Sequence, residues 1–292
     1  MWKTSLTAFF AVLLLAGTAT AATPIKIIDE KGIAEFSASV TDGWESWTAN
    51  SLAHPNQNHG YVRPTGGPAT KIPIGGDVRT GGIITTGAYA GKIAVRSDLG
   101  GDQNISFYDL TTGVVSAPPP GVNSAADDFA PSVSGDYLAF VRGSKLRNLR
   151  LYRLSTGKTI VLQSGVYRVQ VNGDYVIYDF CTRRTCVVAR YRISTGRTVR
   201  APAPAPGRAN YDPAVAGDGT MYWVEGAAKY CGKHTKIRTL IGNTVVTLWS
   251  APAGGEVGYL ELDTLGGNPT LSYSLALCPY SSNRWGAYRI DV

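Results

Sequence analysis

The strongest constraint on the fold is a repeat. The run Ser132 to Arg142 (SVSGDYLAFVR), followed by Leu151 to Gly157 (LYRLSTG), recurs as Gln170 to Phe180 (QVNGDYVIYDF), followed by Arg190 to Gly196 (RYRISTG). Two markers extend the series in both directions: a glycine after a first strand, and a tyrosine five residues before a second glycine after a third strand. The first marker falls at Gly43, Gly87, Gly135, Gly173, Gly217 and Gly266. The second falls at Tyr61, Tyr108, Tyr152, Tyr191, Ile237 and Tyr288, at spacings of 39 to 51 residues. Such a period is that of one four-stranded blade per repeat. Alternation rich in Val, Ile, Tyr and Thr runs from Pro24 onward, with 34 glycines as punctuation and no sustained helical period. The pattern predicts an all-β chain, a six-bladed β-propeller of four-stranded antiparallel blades.

Ring closure supplies an independent argument, because an open last edge invites aggregation. The sixth repeat stops at Val292, after its third strand, while Pro24 to Asp29 precedes the first repeat and has no blade of its own. The sequence therefore predicts that Pro24 to Asp29 closes blade six as its outer strand.

The first residues carry one charge at Lys3, an apolar stretch from Leu6 to Ala16, and small residues ending in Ala19-Thr20-Ala21. That order is a secretory signal peptide, cleaved after Ala21, with residues 22–292 left as one propeller domain. The stretch is shorter than the roughly 20 residues of a spanning helix. The expected product is secreted, without a transmembrane segment, and monomeric. Four cysteines in an exported chain point to disulfides. Cys181 and Cys186 flank a tight turn between two strand-like runs, which suits a bond across one hairpin and leaves Cys231 with Cys278. Loop entropy assigns these about 2 and 4 kcal/mol. A zinc site would need close C-x2-C pairs, which are absent. The net charge of +7 is spread over a chain only 17% charged, without a long basic run, so nucleic acid is not an expected partner. A moderately basic exported protein suits anionic envelope polymers or lipid head groups, and a protein partner is the other expectation.

Phe129 to Arg142 (FAPSVSGDYLAFVR) and Tyr211 to Trp223 (YDPAVAGDGTMYW) resemble the repeat of TolB-like propellers. There a proline opens the inner strand, a Ser/Asp/Gly turn ends it, and an apolar strand follows. Blade two lacks the proline, and blade one lacks most of the opening motif. The resemblance implies a binding or scaffolding module of the envelope, since no peptidase domain accompanies it.

In such a ring the long strand two-to-three loops and the blade-to-blade links share one face, where function is expected. There blades three to six contribute Lys145, Arg147, Arg183, Arg184, Lys229, Lys233, His234, Lys236 and Arg284, whereas blade two contributes Asp98 and Asp102. This basic crescent is one candidate ligand surface. His54 and His59 have no neighbouring carboxylate and read as surface or packing residues. Trp44, Trp47, Tyr230, Tyr280 and Trp285 read as packing between blades, with sugar stacking as the alternative. Serine, zinc and phosphoryl chemistry lack their usual motifs, so no catalytic residue and no cofactor is assigned. Asp127, Asp128 and Asp212 fall in links near the axis, where they read as partners for backbone amides of neighbouring blades, with calcium binding or acid–base chemistry by convergent carboxylates as the alternative. The expectation is a binding module, with a polysaccharide hydrolase or lyase using those carboxylates as the alternative.

Overall fold

The computed structural model describes residues 23–28, 30–51, 53–54, 56–98, 101–182, 185–227, 235–278 and 285–292. They form six four-stranded antiparallel sheets, with no helix among the described residues. A closing strand, β1 (Ile25–Ile28), precedes blade one, which holds β2 (Ile33–Thr41), β3 (Trp44–Ser51), β4 (His59–Pro64) and β5 (Thr70–Lys71). Blade two holds β6 (Asp77–Ile84), β7 (Lys92–Asp98), β8 (Gln103–Asp109) and β9 (Val115–Ser116). Blade three holds β10 (Asp128–Ser134), β11 (Tyr137–Arg142), β12 (Asn148–Arg153) and β13 (Lys158–Gln163). Blade four holds β14 (Val166–Asn172), β15 (Tyr175–Cys181), β16 (Cys186–Arg192) and β17 (Arg197–Arg200). Blade five holds β18 (Arg208–Val215), β19 (Met221–Ala227), β20 (Lys236–Ile241) and β21 (Thr244–Ser250). Blade six holds β22 (Gly255–Leu265), β23 (Asn268–Leu277) and β24 (Trp285–Asp291), and β1 pairs antiparallel with β24 to complete it. The chain is a six-bladed β-propeller whose ring is closed by its first strand, as the repeat count predicts.

The repeat persists because its residues hold one another. In blade three Asp136, in the turn after β10, accepts the Ser155 amide at 2.7 Å and Arg153 Nε at 2.7 Å. Blade four repeats the clamp with Asp174, Ser194 and Arg192. The two turns on that face are thus tied by one carboxylate per blade. The second marker has a cause as well: the hydroxyls of Tyr108, Tyr152 and Tyr191 lie over Gly113, Gly157 and Gly196, where a Cβ would be 3.4–3.8 Å away.

Apolar residues of facing sheets fill each blade-to-blade interface, as packed sheets do. Blades three and four bury Val141, Leu149 and Leu151 against Val171, Val176 and Tyr178. Blades five and six bury Val224 and Ile237 against Leu260, Leu271 and Tyr273. At the closure, Ile27, Ile28 and Ala287 pack on Ala38, Val40 and Trp47 of blade one. The outer strand β17 is exposed along its length and carries Arg197 and Arg200.

Gly87, in the turn after β6, shows how close the blades approach. Its φ is +83°, and an added Cβ would press into the backbone carbonyl of Gly135 in blade three. Gly87→Ala is expected to destabilise the fold by roughly 1–3 kcal/mol, read as a lower denaturant midpoint. An unchanged midpoint would mean that blades two and three do not meet at this turn.

Candidate functional site

Every inner strand breaks register once near the axis. The bulges lie between Phe36 and Ser39, Thr80 and Ile83, Phe129 and Ser132, Val166 and Arg168, Tyr211 and Ala214, and Gly258 and Glu261. Four bulged residues that are not glycine, Ser37, Ala130, Asp212 and Tyr259, hold φ between +44° and +56°. Bulges re-aim side chains, and left-handed residues of this kind concentrate at functional sites. Ser37, Gly81, Ala130, Arg168, Asp212 and Tyr259, one from each blade, line a cup of about 310 Å³ at the channel mouth. Asp127 from a link and Ser144 and Arg147 from the loop after β11 complete its rim, so the cup opens on the long-loop face.

Four arginines converge there: Arg79 on β6, Arg96 on β7, Arg147 and Arg168 on β14. Arg96 is ion-paired with Asp77, and Arg79 Nε lies 3.9 Å from the same carboxylate, beyond hydrogen-bond reach. The Nε–H groups of both Arg79 and Arg96 are buried without a hydrogen-bond partner. Burial, and then the nearby Arg79 charge, lower the Arg96 pKa. Arg147 lies over the Tyr167 ring at 4.0 Å. Arg168 lies over Tyr259 at 4.1 Å, with its Nε 3.3 Å from Asp212. Stacking fixes these guanidinium planes without consuming their donors.

A carboxylate chain stitches blades four to six beneath the arginines. Asp179 accepts the amides of Arg168 at 2.8 Å and Asp212 at 3.0 Å, and Asp212 accepts that of Tyr259 at 2.9 Å. Gln170 donates to Glu261 Oε1 and to the Leu262 carbonyl, both at 3.0 Å. Glu261 also abuts Gly82, where an added Cβ would force the carboxylate aside, so blades two, four and six meet across the axis. Burial, reinforced by Asp212, pushes the Asp179 carboxyl up to about 7. Burial likewise raises Glu261 and Asp263, which repel each other.

These shifts carry a sign. A carboxyl whose pKa is raised in the folded state binds more protons folded than unfolded, so its stability is full below about pH 4 and is lost as pH rises through 7. Surface carboxylates held low, such as Asp136 and Asp174 under their serine and arginine partners, act oppositely only below about pH 4. The protein is therefore expected to melt higher at pH 5 than at pH 8, by roughly 2–4 kcal/mol of stability. Asp179→Asn should flatten that slope. A midpoint that rises from pH 5 to 8 would contradict the burial assigned to these groups.

A second cavity of about 460 Å³ adjoins the cup and shares Tyr167, Arg168, Asp212 and Tyr259 with it. Its remaining walls include Tyr211, Trp285 and the Cys181–Cys186 disulfide. That disulfide joins β15 to β16 as the hairpin spacing predicts, and it is compatible with an oxidising compartment. Cys278 is disulfide-bonded too, and Cys231, its expected partner, lies outside the described residues.

The axial aspartates do not act as one group. Asp127 accepts the Gln103 amide at 3.2 Å on the cup rim, and Asp212 lies in the cup wall. Asp128 is fully buried, with Oδ1 2.6 Å from Arg142 Nε and Oδ2 accepting the Ser124 amide at 2.9 Å, and it does not line the cup. No group of three or more His, Cys, Asp or Glu side chains able to hold a metal occurs among the described residues. Of the basic crescent, Arg147 reaches the cup, while Lys145 and Lys236 do not line it. Arg183, Arg184, Lys229, Lys233, His234 and Arg284 lie outside the described residues, as do Tyr230 and Tyr280. Trp47 packs inside, stacked on Tyr61 at 5.8 Å, whereas Trp285 lines the second cavity. Sequence reasoning missed Arg79, Arg96 and Arg168, which sit within strands rather than loops. No helix of the described residues is long and apolar enough to cross a membrane.

The fold is shared with solved propellers. TolB from Acinetobacter baumannii matches at a TM-score of 0.52 and 18% identity, over 89% of this chain and 63% of that one. This chain thus spans less than two thirds of that TolB. A candidate TolB from Agrobacterium tumefaciens matches at 0.57 and 12% identity, over 90% and 91% of the two chains. An oligogalacturonate lyase in complex with manganese matches at 0.54 and 10% identity, over 94% and 97%. At these identities the likeness is one of fold. No family model matches the sequence, and no curated protein matches it either.

Proposed function

We propose that this chain is an exported binding module that holds an anionic ligand in the arginine-lined cup at the mouth of its axial channel. Residues 1–21 act as a cleaved signal peptide, and residues 22–292 form one soluble propeller domain that meets a carboxylate-, sulfate- or phosphate-bearing polymer of the envelope. The observation that carries this reading is the convergence of Arg79, Arg96, Arg147 and Arg168 on the wall of one cup. Charge-assisted hydrogen bonds from guanidinium groups are the strong ones, and an anion in the cup would meet several of them at once. The same arginines disfavour calcium and favour a ligand of the charge opposite to the one that channel carboxylates alone would attract.

A second reading, turnover of an acidic polysaccharide, is favoured by one observation. Glu261 and Asp212 line the same cup, and burial raises the Glu261 carboxyl above the usual carboxylate range, as a general acid needs. Titration calorimetry of the chain from Ala22, kept oxidised, against D-glucuronate, glucose and calcium chloride tests the binding reading. Heat from glucuronate alone supports it, and heat from calcium alone overturns it. Release of new reducing ends from an acidic polysaccharide would move the assignment to the second reading.

A further inference from the structure

We propose that the second cavity is the adjoining subsite of the cup, and that the two together select an acidic glycan in which the anionic sugar is followed by a neutral one. This rests on the reading of the cup as an anion site. The cavities are continuous, because Tyr167, Arg168, Asp212 and Tyr259 belong to the walls of both. Each has the volume of a small-ligand site.

Their charges are opposed. In the cup, four arginines face Asp127, Asp212 and Glu261, whereas in the second cavity Arg168 alone faces Asp179, Asp212 and Glu256. A ligand with an anionic group at each end would be attracted into one half and repelled from the other. The ligand's charge is therefore confined to the cup end.

The second cavity suits a neutral sugar by its chemistry. Tyr211 and Trp285 bring aromatic rings to its wall, and the C–H face of a sugar packs on such surfaces. Asp212 and Glu256 in the same wall can accept hydrogen bonds from sugar hydroxyls. Ser274, in the same wall, has a buried Oγ with no hydrogen-bond partner. A fatty or aromatic acid would press hydrocarbon against those carboxylates and leave them unsatisfied. Polar groups interleaved with aromatics thus favour a hydroxylated ring over an apolar tail.

Calorimetry with four probes tests this: D-glucuronate, glucuronate linked to N-acetylglucosamine, digalacturonate, and cellobiose. The mixed disaccharide is expected to bind at least tenfold more tightly than glucuronate, digalacturonate no more tightly than glucuronate, and cellobiose not measurably. Ala227→Leu, which fills the second cavity from its wall, should bring the ratio of mixed disaccharide to glucuronate close to one. Trp285→Leu should do the same by removing a ring face, and glucuronate binding within each variant reports that it is folded. Digalacturonate binding as tightly as the mixed disaccharide, or a ratio that survives both variants, overturns the subsite. Failure of glucuronate and the mixed disaccharide alike to bind, or binding indifferent to Arg79→Gln/Arg96→Gln, overturns the anion cup itself and the subsite with it.

Discussion

Titrated with glucuronate, the double variant Arg79→Gln/Arg96→Gln is expected to bind about a hundredfold more weakly than the parent chain. A hydrogen bond to a charged group contributes roughly 1.5–3 kcal/mol, and each 1.4 kcal/mol is about tenfold in affinity. The two guanidinium groups share Asp77, so each single variant should lose more than half of the effect of the pair. Binding by the parent should also weaken as salt is raised from 0.05 to about 0.5 M, whereas residual binding by the double variant should be nearly salt-independent. Parent-like affinity in the double variant would remove these arginines from the site.

The largest stability loss is expected at Asp128. Its carboxylate is fully buried and pairs with Arg142, whose other nitrogen donates to the carbonyls of Val122 at 2.5 Å and Gly121 at 3.2 Å. Asp128→Ala leaves that guanidinium without its counter-charge and frees the Ser124 amide, at a cost of about 3–5 kcal/mol. Asp128→Asn keeps one acceptor and should lose less, and Arg142→Met on the alanine background should restore part of the loss. Denaturant midpoints of the four chains measure these losses. A loss under about 1 kcal/mol would show that the two carbonyls alone satisfy Arg142.

Those two predictions sit on residues that the sequence reveals to very different degrees. The ring was legible because its defining contacts are local: Asp136, Arg153 and Ser155 recur as Asp174, Arg192 and Ser194 at matching offsets, so the clamp leaves a visible period. Closure by β1 was legible for a simpler reason, a count of strands with one left over. The cup was not, because it takes one residue from each of six blades and uses a different side chain in each. The signal was nonetheless present in the alignment. Ala130, Arg168 and Asp212 all stand five residues before the marker glycines Gly135, Gly173 and Gly217, and that position faces the axis. Asp127 and Asp128 do not converge on one site: Asp127 lies in the link at the cup rim and accepts the Gln103 amide, whereas Asp128, the first residue of β10, is buried against Arg142.

The seam in blade six also fixes how the ring responds to force. Ile25, at the start of β1, lies opposite Arg289, near the end of β24, and Ile28 lies opposite Ala287. The chain thus enters and leaves the seam at the same end of one antiparallel ladder. Tension applied through the two ends loads the rungs of that ladder one after another instead of sharing the load among them. The seam peels as a zipper does, and blade six parts before any blade made of one continuous stretch of chain.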